Sequence, residues 1–157
     1  MYSKILVPLD GSKLAECALP YVEELAKGCN TEEVILVSVT ERIKGYRPLE
    51  DPSQPLGQLL IPEAVGKKEK QAQRYLNRIA KGLQAKGVKV RTDILFWPPA
   101  QSIVSYAEYS GTDTIVMSSH GHSGPSRWAH GSVADKVCRA SSVPILMVKA
   151  PGCGSGI

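Results

Sequence analysis

The chain alternates short apolar runs with longer segments in which apolar residues return every three or four positions. The runs occupy residues 4–9, 33–39, 88–96, 113–117 and 144–149. Short apolar runs are typical of strands that helices cover on both faces. The segments between them that carry helical spacing are residues 13–27, 63–86, 98–111 and 133–140. We therefore expect strands and helices to alternate along the whole chain.

Alternation of this kind needs right-handed crossovers, which build a parallel sheet between two helix layers. We predict one doubly wound α/β domain, residues 1–157, with five strands in the order 3-2-1-4-5 and helices on both faces. Residues 88–96 alternate apolar and polar side chains, which is typical of a strand near a sheet edge. Ser12 is predicted to cap the first helix and Pro20 to kink it.

Two segments do not follow this pattern. Residues 42–62 contain four prolines and two glycines, which predicts a mobile loop. Its place after a strand end makes this loop a candidate lid. Residues 151–157 form a glycine-rich tail that we expect to be disordered.

The composition, with 43% hydrophobic and 22% charged residues among 157, is that of an ordinary globular domain. No apolar run approaches the roughly 20 residues of a membrane helix. The start of the chain shows no leader pattern, so we expect neither membrane insertion nor secretion. The four cysteines form no CxxC pair, which disfavours zinc and disulfides and fits the reducing cytoplasm.

The formal net charge of +4 changes this picture little. Several basic side chains cluster in one predicted helix, namely Lys67, Lys68, Lys70, Arg74 and Arg78. Nucleic-acid surfaces interleave basic residues with aromatics, and this segment offers only Tyr75. We interpret the cluster as a solvated helix face and expect no nucleic-acid partner. The positive net charge would suit a small anionic ligand as well as it would suit a nucleic acid.

Two small-residue turns flank a loop between the fourth predicted strand and the last predicted helix. Ser118 and Gly121 lie at the strand end, and nine residues later Gly131 and Ser132 begin the helix. Small side chains let a ligand approach the backbone, and the free N–H groups of a helix start attract anions. Phosphate is the expected occupant, the alternative being a helix cap with nothing bound. Asp10 follows the first strand, which is the neighbour of the fourth strand in the predicted order, so it is expected to lie beside this loop. The alternative role of Asp10 is that of a plain turn and helix-capping residue.

Other phosphate-binding and catalytic patterns are missing from the sequence. It contains neither GxxxxGKS/T nor GxGxxG, which disfavours P-loop enzymes and dinucleotide dehydrogenases. His120, His122 and His130 share one loop, but residues 118–132 add no Asp, Glu or Cys, so we predict no protein metal site. We identify no catalytic residues and expect at most slow hydrolysis of a bound phosphate compound or self-phosphorylation.

Three stretches resemble the universal stress protein family. Residues 5–12 resemble its opening strand and turn, residues 118–133 its nucleotide loop, and residues 143–148 its closing strand. The ATP-binding branch of the family carries glycine, two residues, glycine, nine residues, then glycine followed by Ser or Thr. This chain keeps every spacing but has Ser118 in place of the first glycine. A serine there is strained if the position requires a positive φ.

The resemblance implies a domain that binds ATP, with any Mg²⁺ carried in by the nucleotide. Asp10 would accept hydrogen bonds from ribose hydroxyls, and the backbone near Val39 would read the adenine edge. The turn at Gly121 and the start of the last helix would hold the phosphates. The implied nucleotide-binding residues are Pro8, Leu9, Asp10, Val39, Met117, Ser118, His120, Gly121, Gly131, Ser132 and Val133.

The favoured function is a stress-response regulator that changes state with nucleotide occupancy. Two alternatives stay open: an interaction module that binds no nucleotide, and a slow ATPase. The last predicted strand, Pro144–Lys149, is apolar and would leave an unpaired sheet edge. We therefore expect a two-fold homodimer through this strand.

Overall fold

A computed structural model describes residues 2–41, 63–121 and 131–150 of the chain. Its strands are β1 Lys4–Pro8, β2 Glu33–Thr40, β3 Val90–Phe96, β4 Thr114–Ser118 and β5 Ile145–Val148. They form one five-stranded sheet in the order β3-β2-β1-β4-β5, and every neighbouring pair is parallel. The predicted fold class and strand order are confirmed.

Helices cover both faces of this sheet. They are α1 Lys13–Glu16, α2 Leu19–Gly28, α3 Glu63–Ala85, α4 Pro99–Tyr109 and α5 Ser132–Ala140. Val22 of α2 and Leu76 of α3 belong to one buried cluster. Ile103 of α4 and Val137 of α5 belong to a second cluster. The sheet therefore separates two hydrophobic cores, as a doubly wound domain requires.

The first strand shows why its apolar run is continuous. Successive strand side chains point to opposite faces, so Ile5 and Val7 join the first cluster while Leu6 joins the second. All three side chains are fully buried. Because helices cover both faces, the three central residues of the strand do not face water, and the sequence contains no polar alternation there.

The segment predicted as one kinked helix, residues 13–27, forms two helices. α1 ends at Glu16, and α2 begins at Leu19 with Pro20 in its first turn. Proline has no N–H to donate to a carbonyl four residues back, and first-turn N–H groups have no helical partner in any case. The prediction of a single helix is wrong, and the proline instead marks where the second helix begins.

The edges of the sheet are its first and last strands in spatial order. β3 forms one edge, as its alternation predicted, and β5 forms the other. Gly87, between α3 and β3, has φ +87°, a conformation that glycine adopts without steric cost. The predicted mobile loop, residues 42–62, and the predicted disordered tail, residues 151–157, lie outside the described residues.

None of the helices in the described part of the chain is both long and apolar enough to cross a bilayer. The described cysteines, Cys17, Cys29 and Cys138, are free thiols.

Candidate functional site

A cavity of about 330 Å³ lies at the carboxyl ends of the strands, beside the neighbouring strands β1 and β4. The winding direction reverses between these two strands, and doubly wound sheets bind their ligands at such a point. The volume is within the range of small-molecule sites. The cavity is lined by every residue implied to bind nucleotide, namely Pro8, Leu9, Asp10, Val39, Met117, Ser118, His120, Gly121, Gly131, Ser132 and Val133. The structure brings these residues together, and nucleotide binding by them stays a prediction.

The turn that follows β1 holds the carboxylate of Asp10. Oδ1 accepts hydrogen bonds from the Ser12 N–H at 2.9 Å and from the Ser12 hydroxyl at 2.6 Å. Ser12 Oγ in turn accepts the Ala15 N–H at 3.1 Å and so caps α1, as predicted. Gly11 has φ +85°, which allows this tight turn. The capping role belongs to Ser12, and Asp10 reaches the cavity.

The other carboxylate oxygen of Asp10 lies against Gly121. A Cβ added to Gly121 would stand 2.1 Å from Asp10 Oδ2 and 3.1 Å from Asp10 Cγ. Gly121 is not among the glycines with positive φ, so its backbone conformation does not require glycine. The lack of space requires glycine at this position, because any side chain at residue 121 would displace the Asp10 carboxylate.

Ser118, which replaces the first motif glycine, is the last residue of β4 and is buried. Its φ is not positive, so the strain considered from the sequence does not arise. The Ser118 hydroxyl donates to the His120 carbonyl at 2.8 Å and accepts the His120 N–H at 3.3 Å. Cys17 Sγ donates to the same hydroxyl at 3.4 Å. The serine therefore stabilises the turn that leaves β4.

Ser119 ties this turn to the last elements of the chain. Its N–H donates to the Val148 carbonyl at 2.8 Å, and its carbonyl accepts the Gly131 N–H at 2.7 Å. Its hydroxyl accepts the Ala150 N–H at 3.1 Å and lies 3.0 Å from His120 Nδ1. Ser119 and His120 are both buried. These bonds hold the start of α5 beside the end of β4.

The start of α5 offers backbone donors to the cavity. Gly131 is its N-cap, with φ −52° and ψ 149°, and among the described residues no side chain caps the helix. The N–H groups of Ser132, Val133 and Ala134 belong to the first turn, where helices provide no carbonyl partner. All three residues line the cavity. The helix dipole adds positive partial charge here, so this end of the cavity can hold an anion.

The opposite end of the cavity is apolar, and the sequence patterns did not identify most of it. The residues missed there are Val37, Trp97, Pro99 and Ile103, and the lining residues missed elsewhere in the cavity are Ala15, Ser119 and Ala134. Trp97 carried a usable signal, because it directly follows the third predicted strand and so reaches the carboxyl edge of the sheet. Val37 and Ile103 carried none, since their spacing is that of ordinary core residues.

The charges around the cavity are few. Asp10 is the one carboxylate among its described lining residues, which include no Lys or Arg. Within residues 2–41, 63–121 and 131–150, no three His, Cys, Asp or Glu side chains are grouped to hold a metal ion. Among the described residues that line the cavity, the donors available to an anion are mainly backbone N–H groups.

The order of the sheet and the cavity at its switch point define a doubly wound α/β domain with a small-molecule site. The sequence model of the universal stress protein family matches residues 1–149. Universal stress protein MJ0577 of Methanocaldococcus jannaschii is 34% identical over 157 residues, covering 95% of this chain and 96% of that protein. Universal stress protein YxiE of Bacillus subtilis is 31% identical over 157 residues, covering 95% of this chain and all of that protein.

Solved structures agree with the sequence comparisons. The structure of MJ0577 gives a TM-score of 0.78 and covers 97% of this chain and 99% of that chain. An Arabidopsis thaliana universal stress protein, solved with AMP bound, shares the fold at 14% identity and a TM-score of 0.62, covering 96% of this chain and 93% of that one. This chain belongs to the universal stress protein family.

Proposed function

We propose that this chain is a cytoplasmic universal stress protein that binds ATP at the carboxyl edge of its sheet and regulates a stress response according to nucleotide occupancy. One observation carries the proposal. A single cavity presents an apolar wall, a carboxylate and a helix start that none of the described side chains caps, and these surfaces suit a base, a ribose and a phosphate chain.

The phosphate end would be formed by the first turn of α5 and by Gly121. Backbone N–H groups of Ser132 and Val133 favour negative charge, and the small Gly131 beside them leaves room for close approach. We propose that Mg²⁺ arrives on the phosphates, because it commonly binds proteins through substrate phosphates and few side chains.

The ribose would lie at Asp10. A carboxylate accepts hydrogen bonds from sugar hydroxyls, and the bonds from Ser12 fix this one before any ligand arrives. Preorganisation of this kind lowers the ordering cost of binding.

The backbone of Val39 would read the adenine edge. Along a parallel strand, the N–H and C=O of successive residues point to opposite sides. The Val37 carbonyl accepts the Leu9 N–H on the β1 side, whereas the Thr40 carbonyl accepts the Trp97 N–H on the β3 side. Val39, two residues after Val37, therefore directs its polar groups to the β1 side. The last β1 pair is Pro8 with Val37, so Val39 lies past the end of that strand.

A homodimer through β5 is the second part of the proposal. β5 is an edge strand of four residues, and Leu146 on it is 38% exposed. An apolar edge strand pairs readily with another copy, and a two-fold arrangement is the commonest solution. Such a dimer would let nucleotide occupancy at the neighbouring β4 end influence the interface.

A thermal-shift experiment tests the ATP site. At 1 mM Mg-ATP, a site with a Kd near 10 μM gains about 2.7 kcal/mol, which raises Tm by several degrees. We expect this rise in the wild-type protein and its loss in Gly131→Val, whose side chain blocks the phosphate approach. Gly82→Val is the matched control, because Gly82 is exposed and a Cβ there meets nothing within 4 Å. No shift in the wild-type protein would favour the interaction module that binds no nucleotide.

A further inference from the structure

The indole of Trp97 is the large apolar group of the cavity that the fold itself does not use. Its side chain is 63% exposed, yet it lines the cavity together with Val39 and Pro99. Tryptophan side chains contribute most when they are buried against a partner. The exposed ring therefore has a face to offer to a ligand.

The backbone that carries this ring is firmly held. The Trp97 N–H donates to the Thr40 carbonyl at 2.9 Å. The Ser102 hydroxyl donates to the Phe96 carbonyl, and the Ser102 N–H donates to the Pro98 carbonyl at 3.1 Å. The residues on both sides of Trp97 are thus anchored to α4, so the indole is presented from a fixed support.

The position of Trp97, directly after β3, determines which part of a bound ligand it can contact. Trp97 follows β3, which is three strands away from β4. With about 4.8 Å between strands, some 14 Å separates these two strand ends. The phosphate donors of α5 lie beside β4, so Trp97 stands at the opposite, apolar end.

We propose that Trp97 stacks on the base of the bound nucleotide and thereby closes the apolar end of the cavity. The inference rests on the proposed ATP site and adds a base-binding residue to it. A purine presents a flat π-face, and stacking on an aromatic side chain is among the stronger contacts available to it. The ring recognises a flat base and not the phosphate chain.

Calorimetric titrations with three probes test this assignment. Wild-type protein, Trp97→Ala and Trp97→Phe are titrated with Mg-ATP, adenosine and tripolyphosphate. We expect Trp97→Ala to bind Mg-ATP and adenosine about 10-fold or more weakly, with tripolyphosphate affinity unchanged. Trp97→Phe should retain most of the affinity, since it keeps an aromatic face. Tyr109→Ala is the control, because Tyr109 is a 91% exposed aromatic that lines the neighbouring groove, which Trp97 also borders, and does not line the cavity.

The outcomes separate the two proposals. If the wild-type protein binds Mg-ATP and Trp97→Ala binds it equally well or more tightly, the stacking role is wrong while the ATP site stands. An equal loss for adenosine and tripolyphosphate also overturns stacking. If the wild-type protein binds no Mg-ATP, the ATP site fails and the stacking role fails with it.

Fluorescence gives an independent readout that a purely structural role would not produce. The chain has two tryptophans, and the Trp128→Phe background leaves emission from Trp97 alone. We expect saturating adenosine to change this emission and tripolyphosphate to leave it unaltered. Unaltered Trp97 emission at saturating Mg-ATP would contradict stacking.

Discussion

The contact between Gly121 and Asp10 allows a quantitative test of the site. In Gly121→Ala, the new Cβ would lie 2.1 Å from Asp10 Oδ2, far inside the van der Waals distance. The carboxylate must then turn away and release its bonds from the Ser12 N–H and hydroxyl, 2.9 and 2.6 Å long. Hydrogen bonds to charged groups contribute about 1.5–3 kcal/mol, less where water replaces them, so we expect a loss of about 1–2 kcal/mol in the free energy of unfolding.

A double-mutant cycle isolates this cause. Asp10→Ala removes the carboxylate that the new methyl group meets, so Gly121→Ala should cost little in that background. Urea unfolding of the four proteins measures the coupling, which we expect to be at least about 1 kcal/mol. Gly82→Ala is the control for the Gly-to-Ala change and should stabilise α3 by roughly 0.5–1 kcal/mol. An equal cost of Gly121→Ala in both backgrounds would refute the collision with Asp10.

The same variant reports on ligand binding. If Asp10 binds the ribose, its displacement should weaken Mg-ATP binding about 10-fold or more, by the strength of a charge-assisted hydrogen bond. Calorimetry on Gly121→Ala and Asp10→Ala should give similar losses. Wild-type affinity in either variant would remove Asp10 from the proposed site.

Three further variants test a buried hydroxyl, a hydrogen-bonded phenol and the exposed edge of the sheet. Ser118→Ala removes the hydroxyl that hydrogen-bonds the His120 backbone. Urea unfolding should show a loss of about 1 kcal/mol in the free energy of unfolding, and an unchanged unfolding midpoint would contradict this role of Ser118. Burial first, and then the hydrogen bond to Asp93, raises the pKa of Tyr106 from 10.0 to about 12. The unfolded chain releases the Tyr106 proton at a lower pH than the folded chain does. The contribution of Tyr106 to the free energy of unfolding is therefore complete below pH 10 and should be lost as the pH rises toward about 12. Urea unfolding at several pH values should show this fall in the wild-type protein and a flatter dependence in Tyr106→Phe. Leu146→Lys on the β5 edge should convert the proposed dimer to monomer in analytical ultracentrifugation, whereas an unchanged mass places the interface elsewhere.

The fold could be predicted because each element carries its own local signal. β1 shows an unbroken apolar run because both of its faces are covered, and glycine marks the ends of α2 and α3. The segment containing Pro20 carries an ambiguous local signal. A proline can kink a helix or begin a new one, and only the packing of the two pieces decides between these outcomes.

The two ends of the cavity differ in how far the sequence could predict them. Small residues at fixed spacing, such as Gly121 and Gly131, indicate where a ligand can approach the backbone closely. The family resemblance, which rests on this spacing, therefore implied the phosphate end of the cavity. The apolar end consists of side chains such as Val37 and Ile103, whose spacing only indicates burial. Whether a buried position meets a core or a cavity depends on how α4 and α5 pack, which no local pattern encodes.

A crystal structure of the protein grown with Mg-ATP would show directly whether the cavity binds the nucleotide. We expect density for one nucleotide in the cavity, with phosphates at the Ser132 and Val133 N–H groups and the ribose at Asp10. The base should lie among Val37, Val39 and Trp97. A cavity without nucleotide at saturating Mg-ATP, or a nucleotide bound away from Asp10 and α5, would contradict this expectation.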